Sequence, residues 1–363
     1  MVAEPFVAAH SAHASDSVGH HIIHIFGKPI VMDVPVSAVI LSLIGAIALG
    51  KLVVSILVFL AETFLFTGES LKTFGAKQNR WAVITGCTSG IGEAFAKQLA
   101  RAGFNVCLIG RNVESLRKLE QEISAKSPLV QTTVIPIDLS HPTPETFSAY
   151  SKWIAQPEVQ VGVLVNNAGV SHSMPVSFAE TTLEEMDNIL QVNIHATLLL
   201  TRLTLPHLLT KKSTPGPKVK SLILNIGSFG GTVPSPLLAT YSASKAFLAT
   251  WNKALGEEVK KDGVVVRLVL PGFVVSKMSK IRRPSMMVPT PQTFVSSTLK
   301  SIGLNRGAQS RVYESTPYWT HAAMDYIVGF VPESITVWYN LRLHKDIRAR
   351  ALKKQQRDKL KSQ

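Results

Sequence analysis

The chain has very few cysteines and few charged residues. Cys87 and Cys107 are its only cysteines among 363 residues, and both lie in apolar stretches that we interpret as buried core. This distribution argues against a disulfide framework and indicates a reducing compartment for the main domain. Charged residues make up 17% of the chain and hydrophobic residues 46%, which favours a membrane-associated protein over an ordinary cytosolic enzyme.

Acidic residues are scarce relative to basic ones. The chain has 38 Lys and Arg against 24 Asp and Glu, which gives a formal net charge of +14. Such an excess suits nucleic acid, an anionic membrane surface or an anionic substrate. The basic residues concentrate in one loop and in the C-terminal tail rather than on a recognisable nucleic-acid-binding module, so we expect no nucleic-acid partner.

The N-terminal segment lacks a basic region followed by a small-residue cleavage site, so we expect no removed signal peptide. A second cluster of metal ligands is also lacking in the sequence, and we predict no metal site. Residues 1–33 are therefore predicted to form a mobile polar tail. The segment contains five histidines: His10, His13, His20, His21 and His24.

Charge is almost absent from Val34 to Ala61, where Lys51 is the only charged residue. As a helix this stretch would reach about 42 Å, more than the ~30 Å hydrocarbon core of a bilayer. We predict a transmembrane segment over 34–66. One tilted span is the simplest interpretation, and a shallow hairpin broken near Gly50 is the alternative.

Basic residues flank this segment unequally. Lys72, Lys77 and Arg80 follow it, whereas Lys28 alone precedes it. Cytosolic flanks carry the excess of Lys and Arg, so we predict that the rest of the chain, including the C-terminus, lies in the cytosol.

Residues 80–305 alternate between short apolar runs and helix-like stretches. The runs are rich in β-branched residues and apolar throughout, as strands covered on both faces should be. This alternation predicts an α/β domain with a doubly wound parallel sheet. The six runs are WAVITG, NVCLIG, TTVIPID, VGVLVNNAG, SLILNIGS and VVVRLVLPG.

A glycine-rich turn follows the first of these runs and opens a helix. Gly86, Gly90 and Gly92 lie in the segment TGCTSGIG, together with Ser89 and Ile91. Glycines in such a turn permit positive φ and close approach of a pyrophosphate to the helix N-terminus. The spacing Thr-Gly-x-x-x-Gly-x-Gly resembles the short-chain dehydrogenase/reductase family, which implies a dinucleotide-binding Rossmann domain with all five residues at the cofactor.

Three further segments resemble cofactor-contacting segments of this family. In LIGRN, Arg111 stands where an acidic residue usually holds the ribose of NAD, and a guanidinium suits a 2′-phosphate. We therefore predict NADPH rather than NADH. Asp138 resembles the family residue that meets adenine. The segment NNAG resembles the motif lining the cofactor cleft, which implies a role for Asn166, Ala168 and Gly169.

The segment ATYSASKAF places Tyr241 and Lys245 four residues apart, and so on one face of a helix. A nearby ammonium favours the phenolate, so we expect Lys245 to lower the pKa of Tyr241. With Ser228 and Asn193 the pair matches the Asn–Ser–Tyr–Lys tetrad of the family in order. The resemblance implies that Tyr241 donates the proton, Lys245 also binds ribose, Ser228 holds the carbonyl and Asn193 supports a proton relay.

Two more cofactor contacts follow from the resemblance. The segment VLPGFVVSKM resembles the one that touches the nicotinamide carboxamide, which implies contacts from Val274 and Ser276. Arg202 occupies a helix position that is often basic in relatives.

The C-terminal part is interpreted in two segments. Residues 306–345 are aromatic and apolar but include Asp325, Pro332 and Glu333, which suits an interfacial segment or a lid over an apolar cleft better than a spanning helix. Residues 346–363 form a basic tail that ends in KLKSQ, a match to the dilysine retrieval signal.

These flanking segments, with the run SKMSKIRRPSMMVPT, resemble the microsomal very-long-chain 3-oxoacyl-CoA reductases, whose close kin are the 17-beta-hydroxysteroid dehydrogenases of types 12 and 3. The resemblance implies NADPH-dependent reduction of a long-chain 3-oxoacyl-CoA at the endoplasmic reticulum membrane. It implies as partners a condensing elongase, a 3-hydroxyacyl-CoA dehydratase and an enoyl reductase. The alternative is a membrane-bound reductase of 17-ketosteroids or other apolar ketones.

Basic side chains in that run suit two anionic ligands. Lys277, Lys280, Arg282 and Arg283 follow the nicotinamide segment closely. They are suited to the phosphates of CoA or to anionic lipid headgroups.

Overall fold

The computed structural model describes residues 20–25, 28–33, 36–209, 219–309 and 311–362. The chain divides into two units, Met1–Val58 and Phe59–Gln363. The second unit contains all of the predicted catalytic and cofactor-binding residues.

The first unit contains a hairpin where we expected an irregular tail. Strands β1 (His20–Ile25) and β2 (Lys28–Asp33) pair antiparallel, with His20 opposite Asp33. The segments HHIIHI and KPIVMD are rich in Ile and Val, which favour extended backbone, so the expectation was wrong over these residues. The first 19 residues, with His10 and His13, lie outside the described part.

A long apolar helix follows the hairpin. Helix α1 (Val36–Leu60) continues without a break into one π-helical turn, Ala61–Leu65. The stretch Ser37–Leu65 is long and apolar enough to cross a membrane. The helix is continuous through Gly50 and Lys51, so the structure has a single helix rather than the hairpin that we considered.

The main unit is built on a seven-stranded parallel sheet, which confirms the predicted doubly wound fold. Its strand order is β5-β4-β3-β6-β7-β8-β9, and every neighbouring pair is parallel. The strands are β3 (Trp81–Thr85), β4 (Asn105–Gly110), β5 (Thr132–Pro136), β6 (Val161–Asn166), β7 (Ser221–Ile226), β8 (Val264–Val269) and β9 (Glu314–Ser315).

Helices cover both faces of the sheet, and each face has its own apolar core. Along β3, Ala82 and Ile84 pack into one cluster and Val83 into the other, because successive strand residues point to opposite faces. The helices are α2 (Gly90–Arg101), α3 (Val113–Lys126), α4 (Ser148–Ile154), α5 (Leu183–Leu190), α6 (Ala196–Leu208), α7 (Phe229–Thr232), α8 (Ala239–Val259), α9 (Pro291–Lys300), α10 (Trp319–Val328) and α11 (Glu333–Ser362).

The C-terminal part is more helical than the sequence suggested. The expected basic tail is the second half of α11, a 30-residue helix without a boundary near residue 346. Three side chains fasten α11 to the loops of the main unit. Asn340 donates to Pro234 O, His344 contacts Pro236 O at 2.7 Å, and Arg348 donates to Pro175 O.

The order in which strands are added to the sheet reverses between β3 and β6. The chain runs outward from β3 through β4 to β5 on one side, and from β6 through β7 and β8 to β9 on the other. Ligands of open α/β sheets bind outside the carboxyl ends of the strands at such a switch point. The turns after β3 and β6 are therefore the place to look for a site.

Candidate active site

The turn after β3 needs glycine at two kinds of position. Gly86 and Gly90 both have φ +62, in the left-handed region. Gly92 instead packs closely, since a Cβ there would lie 2.4 Å from Asn167 Nδ2 and 2.4 Å from Gly86 O. A side chain at Gly92 would fill the space between the turn and the end of β6. This turn therefore has the open backbone that a pyrophosphate requires.

Asn167 joins the end of β6 to this turn. Its Nδ2 donates to Thr85 O at 2.9 Å and to Gly86 O at 3.1 Å. The backbone amides of Asn167 and Ala168 both donate to Thr85 Oγ1 at 3.0 Å. Sequence reasoning selected the motif NNAG but not this residue of it, although Asn at a strand end beside a glycine turn was a usable signal.

Asn166 points elsewhere. Its Nδ2 donates to Thr201 Oγ1 at 2.9 Å and to Asn225 Oδ1 at 2.8 Å, inside the core. Asn225 in turn donates to Asn252 Oδ1, and Asn252 donates to Tyr313 O. The side chain of Asn166 thus belongs to a buried string of amides that joins β6, β7 and α8. Its role at the cofactor cleft stays a prediction.

The predicted catalytic residues lie together at the carboxyl ends of β6 and β7. Tyr241 and Lys245 share one face of α8, with Lys245 Nζ 5.9 Å from the centroid of the Tyr241 ring. Lys245 Nζ donates to Ile226 O at 2.9 Å, at the end of β7. Ser228 follows that strand and its side chain is hydrogen-bonded to Tyr241. Ser228 Oγ also accepts from Gly230 N at 3.1 Å, which fixes its rotamer.

Asn193 lies in a π-helical turn, Gln191–His195, between α5 and α6. Its Oδ1 accepts from Val170 N at 2.8 Å, and its Nδ2 donates to Val170 O and to Ser244 Oγ, each at 2.9 Å. A Cβ at Gly169 would lie 3.3 Å from Lys245 Nζ and 3.4 Å from Asn193 Oδ1. Both side chains therefore converge on Gly169. Such π-helical turns within α-helices frequently occur at functional sites.

Burial changes the pKa of both members of the Tyr–Lys pair. Burial lowers the pKa of Lys245 to about 8, because the ammonium loses its hydration. Burial raises the pKa of Tyr241, and the hydrogen bond with Ser228 opposes that rise. This direction is opposite to the one that we expected. The physical reason is that Lys245 Nζ is directed at Ile226 O, so burial outweighs any attraction between ammonium and phenolate.

Two exposed residues extend the site beyond the neighbouring strands. Arg111 immediately follows β4, and Asp138 follows β5. Ser140 donates to Asp138 Oδ1 from its backbone N and from its hydroxyl. These bonds lower the pKa of Asp138, and the nearby charge of Arg111 contributes to the same shift. Arg111 and Asp138 are thus neighbours that offer a cation and an anion at the outer end of the site.

The remaining predicted contacts lie in three places. Val274 is buried, and Ser276 Cβ lies 3.7 Å from the place where a Cβ of Gly90 would stand, so this segment faces the glycine turn. Arg202 is exposed on α6. Within the described part of the chain, no hydrogen bond or ion pair joins it to Asn193, Ser228, Tyr241 or Lys245. Ser89 precedes α2 in extended backbone, and Ile91 is half-buried in the first turn of that helix.

No group of three or more His, Cys, Asp or Glu side chains in the described part of the chain could hold a metal ion. Cys87 and Cys107 are both buried and free.

Comparison with curated proteins finds relatives that match almost end to end. The very-long-chain 3-oxoacyl-CoA reductase of Coprinopsis cinerea is 45% identical over 331 residues, which cover 90% of this chain and 95% of that protein. The enzyme of the same name from Laccaria bicolor is 44% identical over 334 residues, which cover 91% and 95%.

Two solved structures share the fold. A 7beta-hydroxysteroid dehydrogenase has a TM-score of 0.58 at 21% identity and covers 72% of this chain and 96% of its own. A short-chain dehydrogenase from Sphingobium yanoikuyae, in complex with NADPH, has a TM-score of 0.54 at 22% identity and covers 70% and 96%. The sequence profile of short chain dehydrogenases matches residues 80–286, and the chain therefore belongs to the short chain dehydrogenase family of oxidoreductases.

Proposed function

We propose that the protein reduces a very-long-chain 3-oxoacyl-CoA to the 3-hydroxyacyl-CoA with NADPH, as a step of fatty acid elongation. The observation that carries the proposal is the extent of the similarity to the 3-oxoacyl-CoA reductases. It covers 90% of this chain and so reaches well beyond the family domain at residues 80–286. The fold alone would not select a substrate, because one fold serves many reactions.

The residues present fit a nicotinamide dinucleotide. Gly86 and Gly90 have positive φ, and the nearest atom to a Cβ at Gly90 would be Ser276 Cβ at 3.7 Å, so the backbone there is open to a pyrophosphate at the N-terminus of α2. Gly92 instead lets the turn pack closely on Asn167. When bound, NADPH supplies the hydride for the carbonyl carbon. Gly86, Ser89, Gly90 and Ile91 would hold its pyrophosphate, and Lys245 its ribose.

Tyr241 is the group that we assign as proton donor. Its hydroxyl gives a proton to the carbonyl oxygen as that oxygen gains negative charge, and Ser228, already hydrogen-bonded to Tyr241, holds the same oxygen. Because burial raises the pKa of Tyr241, the phenol is protonated at neutral pH and ready to act as an acid.

Lys245 and Asn193 support this proton transfer. The phenolate left on Tyr241 is stabilised by the ammonium of Lys245, whose Nζ lies 5.9 Å from the ring centroid. With a pKa of about 8, Lys245 exchanges its proton readily near neutral pH and can return one to Tyr241. Asn193 holds Val170 and Ser244 in place around this pair.

Arg111 supports the choice of NADPH over NADH. Its guanidinium is exposed directly after β4, where a 2′-phosphate of the adenosine ribose would lie. A guanidinium binds a phosphate bidentately. Asp138 lies beside Arg111, and we assign its carboxylate to contact with the adenine of the cofactor.

The membrane location is supported by exposed apolar side chains outside α1 as well as in it. Phe64, Leu65 and Phe66 are exposed just after that helix, and Ile327 and Phe330 are exposed at the end of α10. We assign residues 306–345 to the membrane interface. Within the main unit, Phe59 stacks on Tyr326 with ring centroids 4.6 Å apart.

The cellular setting follows from the same proposal. The basic flank at Lys72, Lys77 and Arg80 favours a cytosolic catalytic unit, and the terminal KLKSQ favours the endoplasmic reticulum. A condensing elongase, a dehydratase and an enoyl reductase would supply the substrate and consume the product there.

A substrate assay on isolated membranes tests the proposal. Membranes that contain the expressed chain should oxidise NADPH on addition of a long-chain 3-oxoacyl-CoA. A parallel assay offers a 17-ketosteroid as the alternative substrate. Tyr241→Phe membranes provide the matched control. Steroid reduction without acyl-CoA reduction would contradict the assignment.

A further inference from the structure

His321 is a buried histidine in α10 that contacts two separate segments through its two ring nitrogens. Gly272 N donates to His321 Nδ1 at 3.2 Å, and His321 Nε2 lies 3.0 Å from Met287 O. Since a carbonyl accepts only, Nε2 carries the hydrogen, and Nδ1 is left as an acceptor. The network thus assigns one neutral tautomer.

These two segments are the ends of one loop. Gly272 precedes the segment with Val274 and Ser276, which faces the glycine turn. Met287 lies near the end of the basic loop, which we define as residues 273–288. The loop carries Lys277, Lys280, Arg282 and Arg283, which are exposed. One imidazole ring therefore holds both ends of the segment that runs from the cofactor side to the basic residues.

Neighbouring groups of α10 hold the same end of the loop. Tyr318 and Thr320 both donate their hydroxyls to Met286 O, at 3.2 and 3.0 Å. Ser285 and Val288 exchange two backbone hydrogen bonds, so Met286 and Met287 form a tight turn. These bonds hold the far end of the loop only, whereas His321 also holds its start.

The ring has little freedom to move. A Cβ at Gly272 would lie 3.0 Å from His321 Cδ2, so the backbone of that turn lies against the imidazole. Phe294, Tyr318 and Phe229, the residue after Ser228, all pack on the ring, with centroids 6.2, 5.1 and 6.4 Å from that of the imidazole. Burial lowers the pKa of His321, which keeps Nδ1 free to accept at neutral pH.

We propose that His321 is a positioning residue that sets the basic loop relative to the nicotinamide segment, and so matches the acyl-CoA head to the bound cofactor. Val275 N donates to Pro289 O at 3.0 Å and joins the two ends of the loop directly. The His321 ring adds a contact at each end, which further limits the conformational freedom of the loop before substrate arrives. The part of this inference that concerns acyl-CoA depends on the proposed function, and the part that concerns the cofactor does not.

Two amide substitutions separate the two contacts. An Asn side chain has its polar atoms near the position of Nδ1, so His321→Asn keeps an acceptor for Gly272 N. A Gln side chain reaches the position of Nε2, so His321→Gln keeps a donor for Met287 O. We expect His321→Asn to raise KM for a long-chain 3-oxoacyl-CoA about tenfold, with the Kd for NADPH changed less than about twofold. His321→Gln should instead raise the Kd for NADPH about tenfold and change KM for the acyl-CoA less than about twofold.

The controls distinguish the role in positioning from a role in folding alone. His321→Leu removes both contacts and should change both constants, while Tyr318→Phe removes one hydroxyl at Met286 O and should change KM for acyl-CoA alone. Both amide variants are measured by NADPH fluorescence titration as well as by turnover.

If the two variants change both constants by the same factor, change neither, or fail to fold, the proposal is overturned. A wild-type chain that binds NADPH but does not reduce acyl-CoA would contradict the proposed function instead, and the NADPH titrations would still test the contact with Gly272.

Discussion

The carboxyl end of the sheet and the C-terminal part of the main unit are built in opposite ways. At the sheet, Asn193 is fully buried and Lys245 is 6% exposed, and both have hydrogen-bond partners. In the C-terminal part and the basic loop, Met286 is 64% exposed and Phe330 61%. The proposed catalytic groups thus lie inside a packed core, whereas the surfaces that we propose for substrate and membrane are exposed and held at a few points such as His321. Substitutions at the sheet should lower kcat, and those in the loop should change KM.

The largest effect should come from Tyr241. Tyr241→Phe removes the proton donor but keeps the ring, so we expect kcat to fall by about 10² to 10⁴-fold with little change in the Kd for NADPH. Tyr339→Phe is the matched control, because Tyr339 is exposed on α11, and it should keep wild-type kcat. Steady-state turnover together with NADPH titration checks this. Near-normal turnover in Tyr241→Phe would remove the proposed acid.

Lys245 should make stability depend on pH. Its pKa is about 8 in the folded state against an ordinary 10.5, so the unfolded chain binds more protons between these values. The linked stability therefore rises with pH through that window, by about 3 kcal/mol in total. Burial raises the pKa of Cys87 and Cys107, which lowers stability over part of the same window in wild type and variant alike. Denaturant unfolding of the cofactor-free protein should therefore show that the unfolding free energy of wild type gains on that of Lys245→Met as pH rises through the window. Lys260→Met, at an exposed site, should retain the wild-type pH dependence. An identical pH dependence in wild type and Lys245→Met would contradict the burial of the ammonium.

Gly92 tests the packing of the glycine turn. Gly92→Ala puts a methyl group against Asn167 Nδ2 and Gly86 O, and we expect a loss of about 1–3 kcal/mol in unfolding free energy together with weaker NADPH binding. Gly110→Ala is the control, since its Cβ would meet Leu116 and Thr88 at ordinary contact distances. Equal effects of the two substitutions on Kd for NADPH would argue against the special role of Gly92.

The smallest effect should come from Arg111, at the exposed edge of the site. Arg111→Ala should weaken NADPH binding about tenfold and leave NADH binding nearly unchanged, because only the former has a 2′-phosphate. Arg117→Ala, on α3, pairs with Glu120 and is the matched control. Parallel titrations with NADPH and NADH measure the ratio of the two Kd values. If Arg111→Ala leaves this ratio unchanged, Arg111 does not belong to the cofactor site.

Much of the fold could be predicted because its signals are local. Short β-branched runs alternate with helical stretches, and the glycine turn stands between β3 and α2, so the parallel sheet could be predicted directly. The strand order, and with it the switch point, came from the structure. Asn166 and Asn167 could not be told apart, because the direction of each side chain depends on how the backbone leaves the strand. The rise in the pKa of Tyr241 could not be predicted either, since it depends on burial and on where Lys245 Nζ is directed.

The C-terminal part was harder for the same reason. The apolar residues of 306–345 do not distinguish a lid from an interfacial segment. The closing stretch LHKDIRARALKKQQRDKLKSQ is helix-like in pattern, but the sequence did not indicate that a single helix, α11, would run from Glu333 through both segments. His321 gave no signal as a single histidine among aromatic residues. Its role follows only from the two segments that the fold brings to its ring.

The buried string of amides has a consequence for how the chain finds its fold. Asn166 and Asn225 are paired residues in the register of β6 and β7, and their side chains bond each other in the interior. Apolar strands such as VGVLV and SLILN could associate in several alignments with similar burial. A slip of β7 by one residue would turn Asn225 to the other face and leave amides without partners, at roughly 1–3 kcal/mol for each. These asparagines thus favour one register of β6 and β7 over its one-residue slips, and this register places the predicted catalytic residues together at the strand ends.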